Sequence, residues 1–278
     1  MTQRRRFGSV ACALVASLGM AACSSLPPPK LDANQTLQHR AMPVTISGGS
    51  VEIHLARRFP TRANAPLVVF ASGDGGWFGT AVGMFETVAT AGYPVVGISS
   101  RALLRGLRTP GHPLSAARLL GAYREIIATA QRAFNLPAST SVILAGWSRG
   151  ASISVIVGAE HPATPVAGVV AIGLAADENL NVDLESDDEE EPGAGARHGM
   201  DTYATSRSVA GRLAVIQSSG DGYLQADRAR ALFGADTTSR RFYEVSASNH
   251  RFTGGTAAFR RRLHDALEWI STDMDSPQ

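Results

Sequence analysis

The sequence predicts an α/β fold with a mostly parallel central sheet and helices on both faces. Three observations carry that reading. Short apolar runs rich in β-formers alternate with helix-like stretches along the chain. Most of those runs are nearly continuous rather than alternating, as expected of central parallel strands covered on both sides. The chain has 278 residues, 44% hydrophobic and 18% charged, enough for one large domain with a substantial core.

Taken in order, strands are expected at Ala65–Ser72, Tyr93–Ser100, Ser141–Trp147, Pro165–Gly173, Arg212–Ser219 and Arg240–Ser246. Helices are expected between them at Phe78–Ala91, Pro113–Phe134, Ser148–Ala159, Ala226–Phe233 and Thr256–Ile270. Such alternation implies right-handed crossovers. Residues 177–201 break the pattern as an acidic insertion, in which seven of the nine residues from Asp183 to Glu191 are acidic. A run of this kind reads as a solvated loop, although its place after a central strand leaves open a role beside a site.

The N-terminus, "MTQRRRFGSVACALVASLGMAACSS", sets three arginines before a short apolar run, the layout of a secretory signal over residues 1–22. Met20, Ala21 and Ala22 before Cys23 resemble a lipoprotein processing site with Cys23 as the lipidated residue. Plain cleavage near Ala22 without lipid is the alternative. Residues 23–42, rich in Pro and polar residues, suit a tether, so the folded domain is expected over 43–278. These readings place the protein in the periplasm, anchored to a membrane. Ser24 rather than Asp after Cys23 favours the outer one.

Cys12 would leave with the signal, so no internal disulfide is expected. Without Arg4, Arg5 and Arg6 the 26 Lys and Arg residues fall one short of the 24 Asp and Glu, which argues against nucleic-acid binding. No cofactor motif is seen, and His39, His54, His112, His161 and His264 lack the spacing of a metal site.

Chemistry concentrates at strand ends, where open α/β sheets bind ligands. "SVILAGWSRGAS" gives strand, turn and helix around Ser148, flanked by Gly146 and Gly150 in a G-x-S-x-G arrangement that would expose the hydroxyl on a sharp turn. "VVFASGDGGWFG" follows another strand, and the amides of Asp74 or Gly75, with that of Arg149, are candidate oxyanion donors. Asp74, Trp77 and Trp147 flank these turns and are candidate substrate contacts. "VIQSSGDGYLQADRA" offers Asp221 as acid, with Asp227 as runner-up, and "VSASNHRFTGG" offers His250 as base. Ser148, Asp221, His250 is the chain order of the α/β-hydrolases. A metal-free acyl transfer through an acyl-enzyme is therefore expected.

"SGDGGW" at Ser72–Trp77, "GWSRGA" at Gly146–Ala151, "VVGISS" to "RTP" at Val95–Pro110, "NVDLE" at Asn181–Glu185 and "NHRF" at Asn249–Phe252 together resemble the bacterial virulence protein VirJ/AcvB family of α/β-hydrolases. The resemblance spans roughly Pro43–Ile270. It implies a periplasmic, membrane-associated enzyme that removes the aminoacyl group from lysyl- or alanyl-phosphatidylglycerol, with phospholipid as partner. "SSRALLRGLRTP" departs from the family's aromatic-rich version, and the acidic run is longer. Asp74 or the run near Asp187 could attract the substrate's ammonium. Arginine supplies 25 of the 26 basic residues, and Arg101, Arg105 and Arg108 are candidates for headgroup contact. Fold and triad leave two other readings open: a serine esterase or lipase for another ester, and a non-catalytic periplasmic factor in type IV secretion.

Overall fold

The computed structural model describes residues 26–109, 112–161, 165–180 and 199–272. The expected signal segment, Cys23 and the acidic run at 183–191, with "NVDLE", lie outside the described residues.

Four apolar runs form the centre of the sheet: β3 (Leu67–Ala71), β5 (Val142–Trp147), β6 (Val166–Ile172) and β9 (Arg212–Ser218). Each divides its side chains between two cores, because successive residues of a strand point to opposite faces. Val69, Leu144, Ala171 and Val215 enter one core, and Phe70, Ile143, Val170 and Ile216 enter the other. That two-sided burial explains the lack of polar alternation in their sequences. With β1 (Thr36–Ile46), β2 (Gly49–Phe59), β4 (Val95–Ile98) and β10 (Arg240–Val245) they make an eight-stranded sheet, ordered β1-β2-β4-β3-β5-β6-β9-β10. All neighbours from β4 to β10 are parallel, whereas β1 and β2 run antiparallel at one edge.

α1 (Thr80–Thr90) and α7 (Thr256–Ser271) cover one face. The other face carries α2 (Ser100–Leu107), α3 (Ala116–Phe134), α4 (Arg149–Ala159) and α6 (Ala226–Phe233). Capping sets several of their limits. The Ser115 hydroxyl accepts the Arg118 N–H and starts α3 three residues later than the sequence suggests, while Asn135 in the left-handed region ends it. The segment after β6 forms a two-residue ladder of β7 (Asp177–Glu178) with β8 (Met200–Asp201), followed by the short helix α5 (Thr202–Thr205).

The expected tether at 23–42 is corrected. Thr36–Met42 lie in β1, which pairs along its full length with β2. Leu26 is only 5% exposed and rests on α1, where the β-carbon of any residue replacing Gly83 would lie 2.5 Å from the Leu26 carbonyl oxygen. Arg260 of α7 donates to the carbonyl of Pro27. The polar composition that suggested a tether is that of an edge strand with one solvated face, where Pro43 is tolerated. β2 is legible once sought: Val51, Ile53 and Leu55 alternate inward.

A chain starting at Met42 should therefore melt roughly 5 °C or more below one starting at Ser25, measured by thermal unfolding. Equal melting points would mean that the N-terminal segment is dispensable.

Candidate active site

The nucleophile turn lies between β5 and α4, and Ser148 alone joins them. Its backbone has φ 57° and ψ −125°, a conformation that costs a non-glycine residue about 1–3 kcal/mol. Neighbours hold it there: the Ser148 N–H donates to the Ile172 carbonyl at 2.9 Å, and its own carbonyl accepts from Ala151 N at 2.8 Å. The turn can be this tight because Gly146 and Gly150 back onto other main chain. A β-carbon on Gly146 would lie 2.1 Å from the Gly150 carbonyl oxygen, and one on Gly150 would lie 2.1 Å from that of Ala71. The N–H of Arg149 is the first of α4, at the positive end of the helix.

β9 and β10 are parallel neighbours, so the loops that follow them emerge side by side. They bring Asp221 and His250 together, with Asp221 Oδ2 2.6 Å from His250 Nδ1. Asp221 is 1% exposed, and its carboxylate also accepts from Gln217 Nε2 at 3.1 Å and from Tyr223 N at 2.9 Å. These donors replace the water that a buried carboxylate loses. Asp227 lies elsewhere, exposed on the first turn of α6, where it accepts from Arg228 N at 2.7 Å. With Nδ1–H directed at Asp221, the lone pair of the neutral imidazole lies on Nε2. Nε2 is buried and has no hydrogen-bond partner among the described residues.

The His250 turn is fixed from several sides. Asn249 Oδ1 accepts from Arg251 N at 3.0 Å and Thr253 N at 3.2 Å, and buried Phe252 packs on Phe259 with ring centroids 4.6 Å apart. Trp147 Nε1 donates to the His250 carbonyl at 3.1 Å. "NHRF" thus holds its candidate base between a polar turn and an apolar anchor.

The loop Gly73–Gly76 lies directly against the nucleophile, since a β-carbon on Gly73 would be 3.1 Å from that of Ser148. The amides of Asp74 and Gly75 make no backbone hydrogen bond among the described residues, which suits donors reserved for an oxyanion. The Arg149 guanidinium reaches back over this loop, with Nη1 2.6 Å from Asp74 Oδ1 and Nε 3.1 Å from Glu178 Oε1. The second contact is close but not aligned as a hydrogen bond, and both atoms are buried without an aligned partner. Burial pushes the Glu178 carboxyl up to about 7, against the pull of Arg149. The cavity walls also raise the Asp74 carboxyl, although its side chain still reaches solvent, and Arg149 and Arg101 oppose that shift.

A cavity of about 500 Å³ opens over Ser148 and His250, with Asp74, Gly75, Arg149 and Trp147 in its lining. Trp77, expected to touch substrate, is absent from it. Its ring stacks on His54 at 4.3 Å, meets the edge of Phe85 at 5.0 Å and covers Gly97, so it is packing that holds the loop. Phe78, the next residue, lines the cavity and is 63% exposed, as does Tyr223, 82% exposed with its ring edge-on to His250. Sequence reasoning passed over both, together with Glu178, although each adjoins a motif it singled out. Arg101 and Arg105 lie on α2 and Arg108 just after it, and none lines the cavity. Among the described residues, no group of three or more His, Cys, Asp or Glu could hold a metal, and no helix is long and apolar enough to cross a membrane.

Residues 65–186 match the family model of the bacterial virulence protein VirJ. The fold is that of the α/β-hydrolases. It resembles a Klebsiella pneumoniae structure assigned as a dienelactone hydrolase (TM-score 0.60, 14% identity, 85% of this chain and 99% of that one). It also resembles the esterase domain of a Rhodothermus marinus protein (0.56, 17%, 84% and 100%) and Est1E from Butyrivibrio proteoclasticus (0.56, 14%, 83% and 99%). No curated protein sequence matches the chain.

Glu178 makes a stability prediction. Its carboxyl titrates near 7 in the fold against an ordinary 4.5, so the stability tied to its proton is present below pH 4.5 and lost as pH rises through 7. Glu178→Gln removes that loss, on the order of 3 kcal/mol at most. The melting temperature of the variant minus that of the wild type should therefore increase between pH 5 and pH 8. A difference independent of pH would contradict the burial assigned to this carboxyl.

Proposed function

Starting from a chain with an α/β-hydrolase fold and a VirJ-like segment, we propose that it is a serine hydrolase that cleaves the aminoacyl ester of aminoacyl-phosphatidylglycerols, lysyl or alanyl. The observation that carries this reading is Ser148 on a strained turn, sharing one open cavity with a His250 already paired to buried Asp221. An aminoacyl lipid is joined through a carboxylic ester, the bond such a constellation attacks.

In the proposed reaction, Ser148 Oγ adds to the ester carbonyl carbon as its proton passes to His250 Nε2. Asp221 stabilises the imidazolium and keeps Nδ1 as the donor. The amides of Arg149 and of Asp74 or Gly75 receive the oxyanion, each such donor typically contributing about 10²–10³ in rate. Collapse breaks the bond to the glycerol oxygen, which leaves as phosphatidylglycerol with the proton from His250. Water then gives a proton to His250 and adds to the acyl-serine, and collapse releases the amino acid and restores the Ser148 hydroxyl.

A lipid at a surface suits the cavity mouth. Phe78 and Tyr223 project at its rim, the kind of side chain that settles at a membrane interface, and exposed Arg251 beside them could meet a phosphodiester. We further propose a periplasmic location with a lipid anchor at Cys23, which would keep the enzyme at its substrate's surface.

The test is amino-acid release from lysyl- and alanyl-phosphatidylglycerol by a chain starting at Ser24, with a short-chain nitrophenyl ester alongside. Both lipids should be cleaved, and Ser148→Ala should lower the rate by about 10⁴-fold or more. Asp221→Asn should lower kcat by roughly 10³–10⁴-fold. Turnover of the nitrophenyl ester alone would mean a serine esterase for another substrate, and turnover of neither would point to a non-catalytic role.

A further inference from the structure

We infer that Glu178 and Asp74 form a subsite for a substrate ammonium group, so that the enzyme selects acyl groups carrying an α-amino substituent. This rests on the hydrolase reading above and names what its acyl pocket recognises.

The two carboxylates come from separate parts of the chain, β7 and the loop after β3. Both converge on the side chain of Arg149, the residue after the nucleophile. In an α-amino acyl group the nitrogen is bonded to the carbon next to the carbonyl under attack. It must therefore lie within a few ångströms of Ser148 Oγ, where these carboxylates face the cavity.

The charges favour a cation. The cavity lining carries three carboxylates, Asp74, Asp177 and Glu178, against the guanidiniums of Arg149 and Arg251, so it is negative when all three are ionised. An anion directed at Arg149 would have to displace its ion pair with Asp74. The hydrogen bonding points the same way. Glu178 Oε1 is turned to Arg149 Nε at 3.1 Å while the residue lines the cavity, and beside it the Asp74 side chain still reaches solvent. An ammonium brings three N–H groups and can engage more than one carboxylate at once. The raised titration of Glu178 fits a carboxyl poised to lose its proton when a cation arrives.

The α-ammonium is common to lysyl and alanyl esters, so this subsite admits both and leaves the side chain to be read elsewhere. The expected acidic run at 183–191 is not required.

The test compares kcat/KM for 1-alanylglycerol and 1-propionylglycerol at pH 7, where an α-amino group is largely protonated. Each value is normalised to the ester's hydroxide-catalysed rate, because the ammonium itself activates the carbonyl. The wild type should prefer the alanyl ester by at least tenfold, and Glu178→Gln should reduce that preference by about tenfold. Asp74→Asn, at a solvent-reaching position, should reduce it by a smaller factor and serves if the Glu178 variant does not fold. Equal normalised rates in the wild type would overturn the subsite and leave the hydrolase reading standing. Folded variants that lose both activities in the same proportion would also overturn it, making the carboxylates supports for Arg149 alone. Turnover of neither ester would remove the hydrolase reading and the subsite with it.

Discussion

Everything at the cavity depends on the backbone of one residue. Ser148 is held at φ 57° and ψ −125°, a conformation that its own chemistry disfavours and its neighbours impose. The glycines at 146 and 150 are small because main chain occupies the space where their side chains would stand. The central strands are short and apolar because they must be buried on both faces to bring β5 to the middle of the sheet. From there the loop after β3 lies against Ser148 on one side, and β9 and β10 deliver Asp221 and His250 on the other.

Arg149 links the two sides of this arrangement. Its amide begins α4 and is a candidate oxyanion donor, while its guanidinium engages Asp74 and Glu178. The arginine of "GWSRGA" and the aspartate of "SGDGGW" are therefore ion-pair partners, a physical reason for the two motifs to occur in one chain. The pairing also limits how far the oxyanion loop can drift from the nucleophile. In the proposed reaction it is the contact through which recognition of the acyl group and stabilisation of the oxyanion become coupled.

The parts of this structure legible in the sequence are those with a strong local signature. Continuous apolar runs marked β3, β5, β6 and β9, and residue order marked Ser148, Asp221 and His250 as a set. Asp221 was preferred to Asp227 for its place just past β9, and the structure pairs it with His250 while Asp227 lies exposed on α6. β1 escaped notice because an edge strand with a solvated face resembles a polar linker in composition. The substitution of Phe78 for Trp77 at the cavity was not legible, because adjacent residues point in different directions and His54, 23 positions earlier, claims the indole. Glu178 was hidden by its setting. It follows Asp177 at the start of an acidic stretch that reads as solvated, and only the fold shows that this carboxylate is buried against Arg149.

The most direct measurement is covalent trapping with a fluorophosphonate, which reacts preferentially with activated serines, followed by peptide mass spectrometry. The expected result is a stoichiometric adduct on the peptide containing Ser148 in the wild type, and none in a folded His250→Ala variant. An unlabelled wild type, or a label at another serine, would contradict the assignment of Ser148 as a nucleophile activated by His250.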